Sequence, residues 1–276
     1  MDKITSIAQL QELILYIRNL RQGFVTNFYL DETKHAAWIE TGNFQYDKYD
    51  DTVMLLFDHY TSDNEKYFTN MFYISISNES MIAHLKKYPE MYHYDLYVLD
   101  IVGRDMMCTP IVEQLKTIRA RHAATLVRMN RIRTEEEVEK LDERVKYAEE
   151  RDVEQIYGLL HSHFDERLEQ LPLISELNQM IAEKHILKCL IDEQIAGILL
   201  FDLNSSTLYL RYWLTLPEYR DKGVGSALLR RFFYEGRETK RQILWVREDN
   251  ANAIERYEHY GFSKENMYDY ILSYCG

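Results

Sequence analysis

Apolar residues at Ile4, Ile7, Leu10, Leu13, Ile14, Ile17 and Leu20 recur every three or four positions and predict an amphipathic helix, which Gly23 ends. The pattern then changes. Three runs rich in aromatic and β-branched residues, Thr52–Tyr60, Phe68–Ile76 and Leu96–Val102, predict strands, and Thr125–Met129 predicts another. Helical spacing over Ser80–Tyr88 and Ile111–His122 separates them, with Pro110 placed to start the second helix. Beyond a charged stretch at 131–152, helical spacing returns at Val153–Phe164 and Ile174–Glu183. His185–Ile191 and Ile195–Leu203, joined by Asp192-Glu193-Gln194, predict a hairpin. A strand at Thr207–Leu214, a helix at Ser226–Glu238, a strand at Gln242–Arg247, a helix at Ala251–Tyr260 and a strand at Tyr268–Tyr274 complete the order.

The fold class is therefore α/β (α+β), and 276 residues suit two domains. The expected division is an N-terminal domain over 1–132, a linker over 133–143 and a second domain over 144–276, because charge dominates the segment between them. Seven of the ten glycines fall after residue 150, so the two halves are expected to do different work. The aromatic stretch Trp38–Tyr49 fits either a cleft cover or a core, and the sequence leaves both open.

Charge and cysteine content narrow the functions. The net charge is −12, and from residue 151 onward 15 Lys and Arg stand against 20 Asp and Glu. Broad nucleic-acid or anionic-membrane binding needs a basic face and is disfavoured. Three scattered cysteines make neither a disulfide framework nor a zinc spacing, which fits a reducing cytoplasm. No stretch reaches 18 apolar residues, so no spanning helix is expected. His161 and His163 lie about 200° apart on a helix and do not converge on a metal; no metal site is expected.

One segment carries chemistry. Leu216-Pro-Glu-Tyr-Arg-Asp-Lys-Gly223-Val-Gly225-Ser-Ala-Leu-Leu229 follows a strand and opens a helix. Such a turn aims main-chain N–H groups and the positive helix end at one point, and glycine lets an anion approach closely. An ordinary strand-to-helix turn has the same Gly-x-Gly. A P-loop is excluded by its missing Gly-Lys-Ser/Thr, and a dinucleotide fingerprint by Leu228 where a third glycine belongs.

Arg220-Asp-Lys-Gly223-Val-Gly225 resembles the Arg/Gln-x-x-Gly-x-Gly/Ala loop of the GNAT superfamily of acyl-CoA-dependent N-acetyltransferases. Downstream, Asn250-Ala-Asn-Ala253-Ile-Glu-Arg-Tyr257-Glu-His-Tyr-Gly261-Phe262 is similar to that family's second pattern at every signature position, and Lys146–Asp152 resembles its first strand leading into its first helix. The likeness covers 144–276.

The resemblance implies an acyl-CoA N-acyltransferase fold and acetyl-CoA (coenzyme A) as cofactor. The pantetheine arm would follow the main chain at Leu214, Thr215 and Leu216. The pyrophosphate would rest on the loop Arg220, Asp221, Lys222, Gly223, Val224, Gly225, Ser226 and Ala227, and Asn250 would meet the cofactor at the next helix. An acceptor amine, on a small molecule or a peptide, would attack the thioester directly. A strand N–H near Leu214 would hold the oxyanion, and Tyr257 would protonate the leaving thiolate.

Asn250 is equally an ordinary helix N-cap. Arg211 and Trp213 are the expected acceptor-side residues, although Arg211 also fits an ion pair on the opposite face. The basic group Arg220, Lys222, Arg230, Arg231, Arg237, Lys240 and Arg241 fits either a solvated face or attraction for the cofactor's nucleotide end. The strand lacks the glutamate that some members use as base, so water, Glu248, Asp249 or an already neutral amine is left for that role.

By element order alone, 1–130 resembles a second, degenerate GNAT-like unit. Ser77-Asn-Glu-Ser80 stands where the phosphate loop belongs, so no CoA site is expected there. Two other functions compete: a non-catalytic acyl-CoA-binding or regulatory module, and an aminoacyl-tRNA-dependent transferase, which the acidic charge disfavours. The sequence does not give the oligomeric state.

Overall fold

Ser6 and Asp31 show how the first helices begin: each side chain accepts a main-chain N–H three residues on and satisfies a donor left open in the first turn. The computed structural model describes residues 1–61, 63–88, 96–132 and 141–275, the side chain of Cys275 excepted. In chain order the first elements are β1 (Asp2–Lys3), α1 (Ile7–Leu20), β2 (Val25–Thr26), α2 (Glu32–Glu40), β3 (Phe44–Lys48), β4 (Thr52–Tyr60) and β5 (Lys66–Ser75). Then come α3 (Asn78–Leu85), β6 (Leu96–Gly103), α4 (Asp105–Lys116) and β7 (Arg121–Ile132). The rest comprises β8 (Val145–Tyr147), α5 (Val153–His163), α6 (Glu166–Glu169), α7 (Ile174–Ala182), β9 (Ile186–Ile191), β10 (Gln194–Leu203), β11 (Thr207–Thr215), α8 (Val224–Glu235), β12 (Arg241–Arg247), α9 (Ala251–His259) and β13 (Ser263–Cys275).

Two compact units result. Unit 1 comprises Met1–Leu126, Glu166–Gln170 and Met267–Gly276, and unit 2 comprises Val127–Asp165 and Leu171–Asn266. In unit 1 the strands run β1-β3-β4-β5-β6-β13, with β2 on β5. β5 and β6 are parallel, and β13 is antiparallel to β6 from Tyr268↔Gly103 to Cys275↔Leu96. In unit 2 the order is β12-β11-β10-β9-β8, with β11 and β12 parallel and the other pairs antiparallel. Helices α5 and α7 close one face over Ile156, Leu160, Leu177, Ile186, Ile198 and Tyr212. The β9–β10 turn is a two-residue one with Asp192 and Glu193 both at positive φ, which matches the right-handed twist of a hairpin.

Two expectations change. Pro110 does not start its helix; α4 begins at Asp105 and carries Pro110 inside. The proline leaves the Met106 carbonyl without its i+4 donor, but Met106 is 77% exposed, so water can meet it. Cys108, Val112 and Leu115 form the buried face and hold the helix in place. The helix also stops at Lys116, and the expected tail Arg121–His122 starts β7 instead. The aromatic stretch is core: Trp38 is 4% exposed and stacks on Phe57 at 4.2 Å, with Phe44 edge-on at 5.5 Å. Residues 133–140 of the expected linker lie outside the described residues.

Candidate active site

β11 leads through a short 3-10 turn, Pro217–Tyr219, into α8. Gly223 is the N-cap at φ +74, a conformation that suits glycine, and it offers no side chain to the first turn. The main-chain N–H groups at the start of α8 therefore remain directed outward. The helix is anchored by Val224, Ala227, Leu228, Leu229 and Phe232. Gly197 on β10 makes this approach possible, since a Cβ there would stand 2.8 Å from Val224 Cγ1 and 2.6 Å from the Leu214 carbonyl. Arg144, gripped by Asp142 through Nε at 3.0 Å and Nη2 at 2.7 Å, donates to the Lys222 carbonyl at 3.2 Å and braces the loop. No motif announced Arg144, because its role comes from tertiary placement 78 residues from the loop.

β11 and β12 pair from Thr207↔Arg241 to Leu210↔Leu244, and there the register ends. Just past this point β11 is bulged: Leu200 faces Tyr212 and Phe201 faces Leu210, leaving Arg211 without an opposite residue. Leu216 N–H donates to Ala196 O at 3.0 Å. By the alternation of an antiparallel ladder, Leu214 N–H is also turned to β10, which leaves the N–H groups of Trp213 and Thr215 on the open side. Leu214, near which a strand donor was expected, thus turns its own N–H to β10.

The bulge also separates the two expected acceptor-side residues. Arg211 reaches Met180 Sδ on α7 at 3.9 Å and Asp202 at 3.8 Å. Burial opposes its charge, but Tyr212, Asp202, Tyr209 and Glu176 outweigh that and raise its pKa. Trp213 instead faces α8, where a Cβ at Gly225 would stand 3.1 Å from its Cζ2.

On the far side of the opening, Asn250 Oδ1 accepts Ala253 N–H at 3.1 Å and caps α9. That helix buries Ile254 and Tyr257. The Tyr257 ring lies 5.6 Å from Trp213 and 5.9 Å from Phe262. Tyr260, one turn on and therefore on the same helix face, donates from its hydroxyl to Ser226 Oγ at 2.7 Å and joins α9 to the first turn of α8. Its i+3 spacing from Tyr257 was a signal within the quoted motif.

Of the base candidates, Asp249 accepts two hydrogen bonds from Arg247, at 3.0 and 2.7 Å. Those bonds hold its carboxyl below the ordinary carboxylate range. Glu248 is exposed. Several basic residues are engaged: Arg231 with Glu235 and Tyr147, Arg241 with Glu265, and Arg237 with the Tyr234 carbonyl. His161 and His163 each turn Nδ1 to a main-chain carbonyl of their own helix, and the described residues contain no group of three potential metal ligands.

These residues fit a phosphorylated pantetheine cofactor on two observations. A Cβ at position 225 would fill the cradle between Trp213 and Thr215. The indole Nε1 of Trp213 is buried with no hydrogen-bond partner among the described residues. Leaving such a donor unpaired costs about 1–3 kcal/mol, and a ligand acceptor removes the cost.

Unit 1 also has a parallel strand pair of short register, and there Asn27 bonds to both strands. β5 and β6 pair from Thr69↔Tyr97 to Met71↔Leu99. Just beyond, Asn27 donates to the Met71 and Asp100 carbonyls at 3.3 and 3.0 Å and accepts Tyr73 N–H at 2.7 Å. The chain's own amide thus meets the groups that diverging strands would expose. The helix after β5 is closed as well, because Ser77 Oγ accepts Ser80 N–H at 3.1 Å.

Residues 150–262 match the family described as Acetyltransferase (GNAT) family. Among solved structures, a tandem GNAT protein from the clavulanic acid biosynthesis pathway, determined without AcCoA, is similar at 9% identity and TM-score 0.59, over 99% of this chain and 97% of its own. A GCN5-related N-acetyltransferase from Sphaerobacter thermophilus is similar at 12% identity and TM-score 0.57, over 81% and 80%. A probable N-acyltransferase from Enterococcus faecalis is similar at 11% identity and TM-score 0.55, over 99% and 71%. No curated protein matches the sequence. At these identities the likeness is one of fold, and in the tandem protein it runs through the N-terminal half as well. Residues 150–262 are therefore a GNAT acetyltransferase-family domain, in a chain whose fold is similar to a tandem GNAT protein.

Proposed function

We propose that unit 2 is an acyl-CoA-dependent N-acetyltransferase that acetylates a primary amine of a small molecule or peptide. The observation that carries this reading is the convergence at one opening of the uncapped start of α8, the end of β11–β12 pairing and the buried Tyr257. Acetyl-CoA, when bound, supplies the thioester. The outward N–H groups from Val224 to Ser226 hold negative charge at the helix start. Gly225 keeps that surface low enough for close approach. The N–H groups of Trp213 and Thr215 are the donors on the open side of β11, placed to stabilise an oxyanion. Tyr257 donates a proton to the departing sulfur. With no carboxylate on β11 and Asp249 tied to Arg247, the amine enters neutral or loses its proton to water.

Unit 1 binds no CoA in this reading, because Asn27 and Ser77 occupy the groups a cofactor would need. The test is acceptor-dependent thiol release from acetyl-CoA over a panel of primary amines. Release with at least one amine supports the reading. Cofactor binding without release for any amine would leave a non-catalytic acyl-CoA-binding protein.

A further inference from the structure

The rear wall of the opening contains a donor that neither GNAT motif includes. Trp213 sits on β11 past the last residue paired with β12, and its indole packs between α8 and α9. Three contacts fix the ring. Gly225 lies against its Cζ2–Cε2 edge, with virtual Cβ distances of 3.1 and 3.5 Å; Tyr257 lies 5.6 Å away; and Tyr260 stands edge-on at 6.2 Å. Tyr260 is itself pinned to Ser226, so the ring has little freedom to turn its N–H elsewhere. Nε1 is bonded to Cε2, the atom nearest Gly225 after Cζ2, and therefore lies beside the first turn of α8. There it is buried and meets no acceptor among the described residues.

A fixed, dry, unpaired N–H beside outward main-chain N–H groups is complementary to an oxygen acceptor brought by a ligand. We infer that Trp213 is a cofactor-binding residue whose indole N–H donates to an oxygen of the acyl-CoA where its phosphate joins the pantetheine arm. The inference rests on the acyl-CoA reading and adds to it a contact outside the two motifs. It also moves Trp213 from the acceptor side to the cofactor side, apart from Arg211.

The chain has three tryptophans, so a 15N-labelled sample gives three indole N–H signals, assigned by replacing each in turn with Phe. Saturating CoA should move the Trp213 signal downfield and slow its exchange with solvent. 4′-Phosphopantetheine and pantetheine locate the acceptor: a shift with the first alone assigns a phosphate oxygen, and a shift with both assigns a pantetheine carbonyl. In calorimetry Trp213→Phe, which keeps the ring contacts and removes the N–H, should bind CoA about tenfold more weakly than the unaltered chain. A Trp213 signal unmoved in CoA-saturated protein overturns the inference and leaves the acyl-CoA reading intact. So does an unchanged Kd for Trp213→Phe. Failure of the unaltered chain to bind CoA overturns both.

Discussion

Gly225 and Trp213 are matched in shape: a Cβ at residue 225 would stand 3.1 Å from Trp213 Cζ2 and 3.2 Å from Thr215 Oγ1. Alanine at this helical position gains up to about 1 kcal/mol in propensity, which offsets the crowding. Gly225→Ala, which the loop pattern itself admits, should therefore melt within a few degrees of the unaltered chain and bind CoA within about threefold of it, whereas the larger side chain of Gly225→Val should bind CoA at least about tenfold more weakly. A melting scan with calorimetry on one preparation checks both halves. Unimpaired binding by Gly225→Val would mean that the approach to residue 225 is not used.

Tyr257→Phe keeps the ring contacts to Trp213 and Phe262 and removes the hydroxyl. Under acceptor saturation kcat should fall at least about tenfold, while the Kd for CoA stays within about twofold. Loss of binding in parallel with rate would give the hydroxyl a holding role instead of proton donation.

The stability of unit 2 depends on a buried ion pair. Lys188, 4% exposed, sets Nζ 2.5 Å from Asp152 Oδ2, and Asp152 also accepts Glu149 N–H at 2.7 Å. Lys188→Met strands that carboxylate and should cost about 3 kcal/mol in urea unfolding. Adding Asp152→Ala to it should cost less than the sum of the two single changes. Additive losses would show that the two side chains do not depend on each other.

How much of this was legible depends on how local each signal is. The loop around Gly223 and the helix from Asn250 to Tyr257 are contiguous, and their chemistry is written in adjacent residues. Pro110 misled because a proline inside a helix looks like one that starts it; the buried face Cys108, Val112 and Leu115 outweighs the lost bond only once packed. Arg144, Asn27 and the β11 bulge were invisible, since each joins segments far apart in sequence. The bulge matters most, because strict alternation would put Arg211 and Trp213 on one face.

Unit 1 holds two carboxyls that oppose its stability at neutral pH. Burial raises the pKa of Asp100, and burial together with Asp100 raises that of Asp269, whose Oδ1 has no partner among the described residues. A raised carboxyl pKa means the folded chain holds the proton more tightly than the unfolded one. Stability from this source is complete below the ordinary value of 3.8 and is lost as pH rises through the raised values. Asp269→Asn should therefore raise the melting temperature at pH 8 more than at pH 4. Burial lowers His35 to about 4, so its contribution runs the other way: present above about 6.5, lost as pH falls through about 4, and common to both chains. An equal shift at both pH values would remove the carboxyl pair from the account.

The central claim is one acyl-CoA site per chain, in unit 2. Calorimetric titration of the full chain with acetyl-CoA tests it most directly. One site per chain, lost or strongly weakened in Gly225→Val, is the expected result. Two sites, or none, would contradict it.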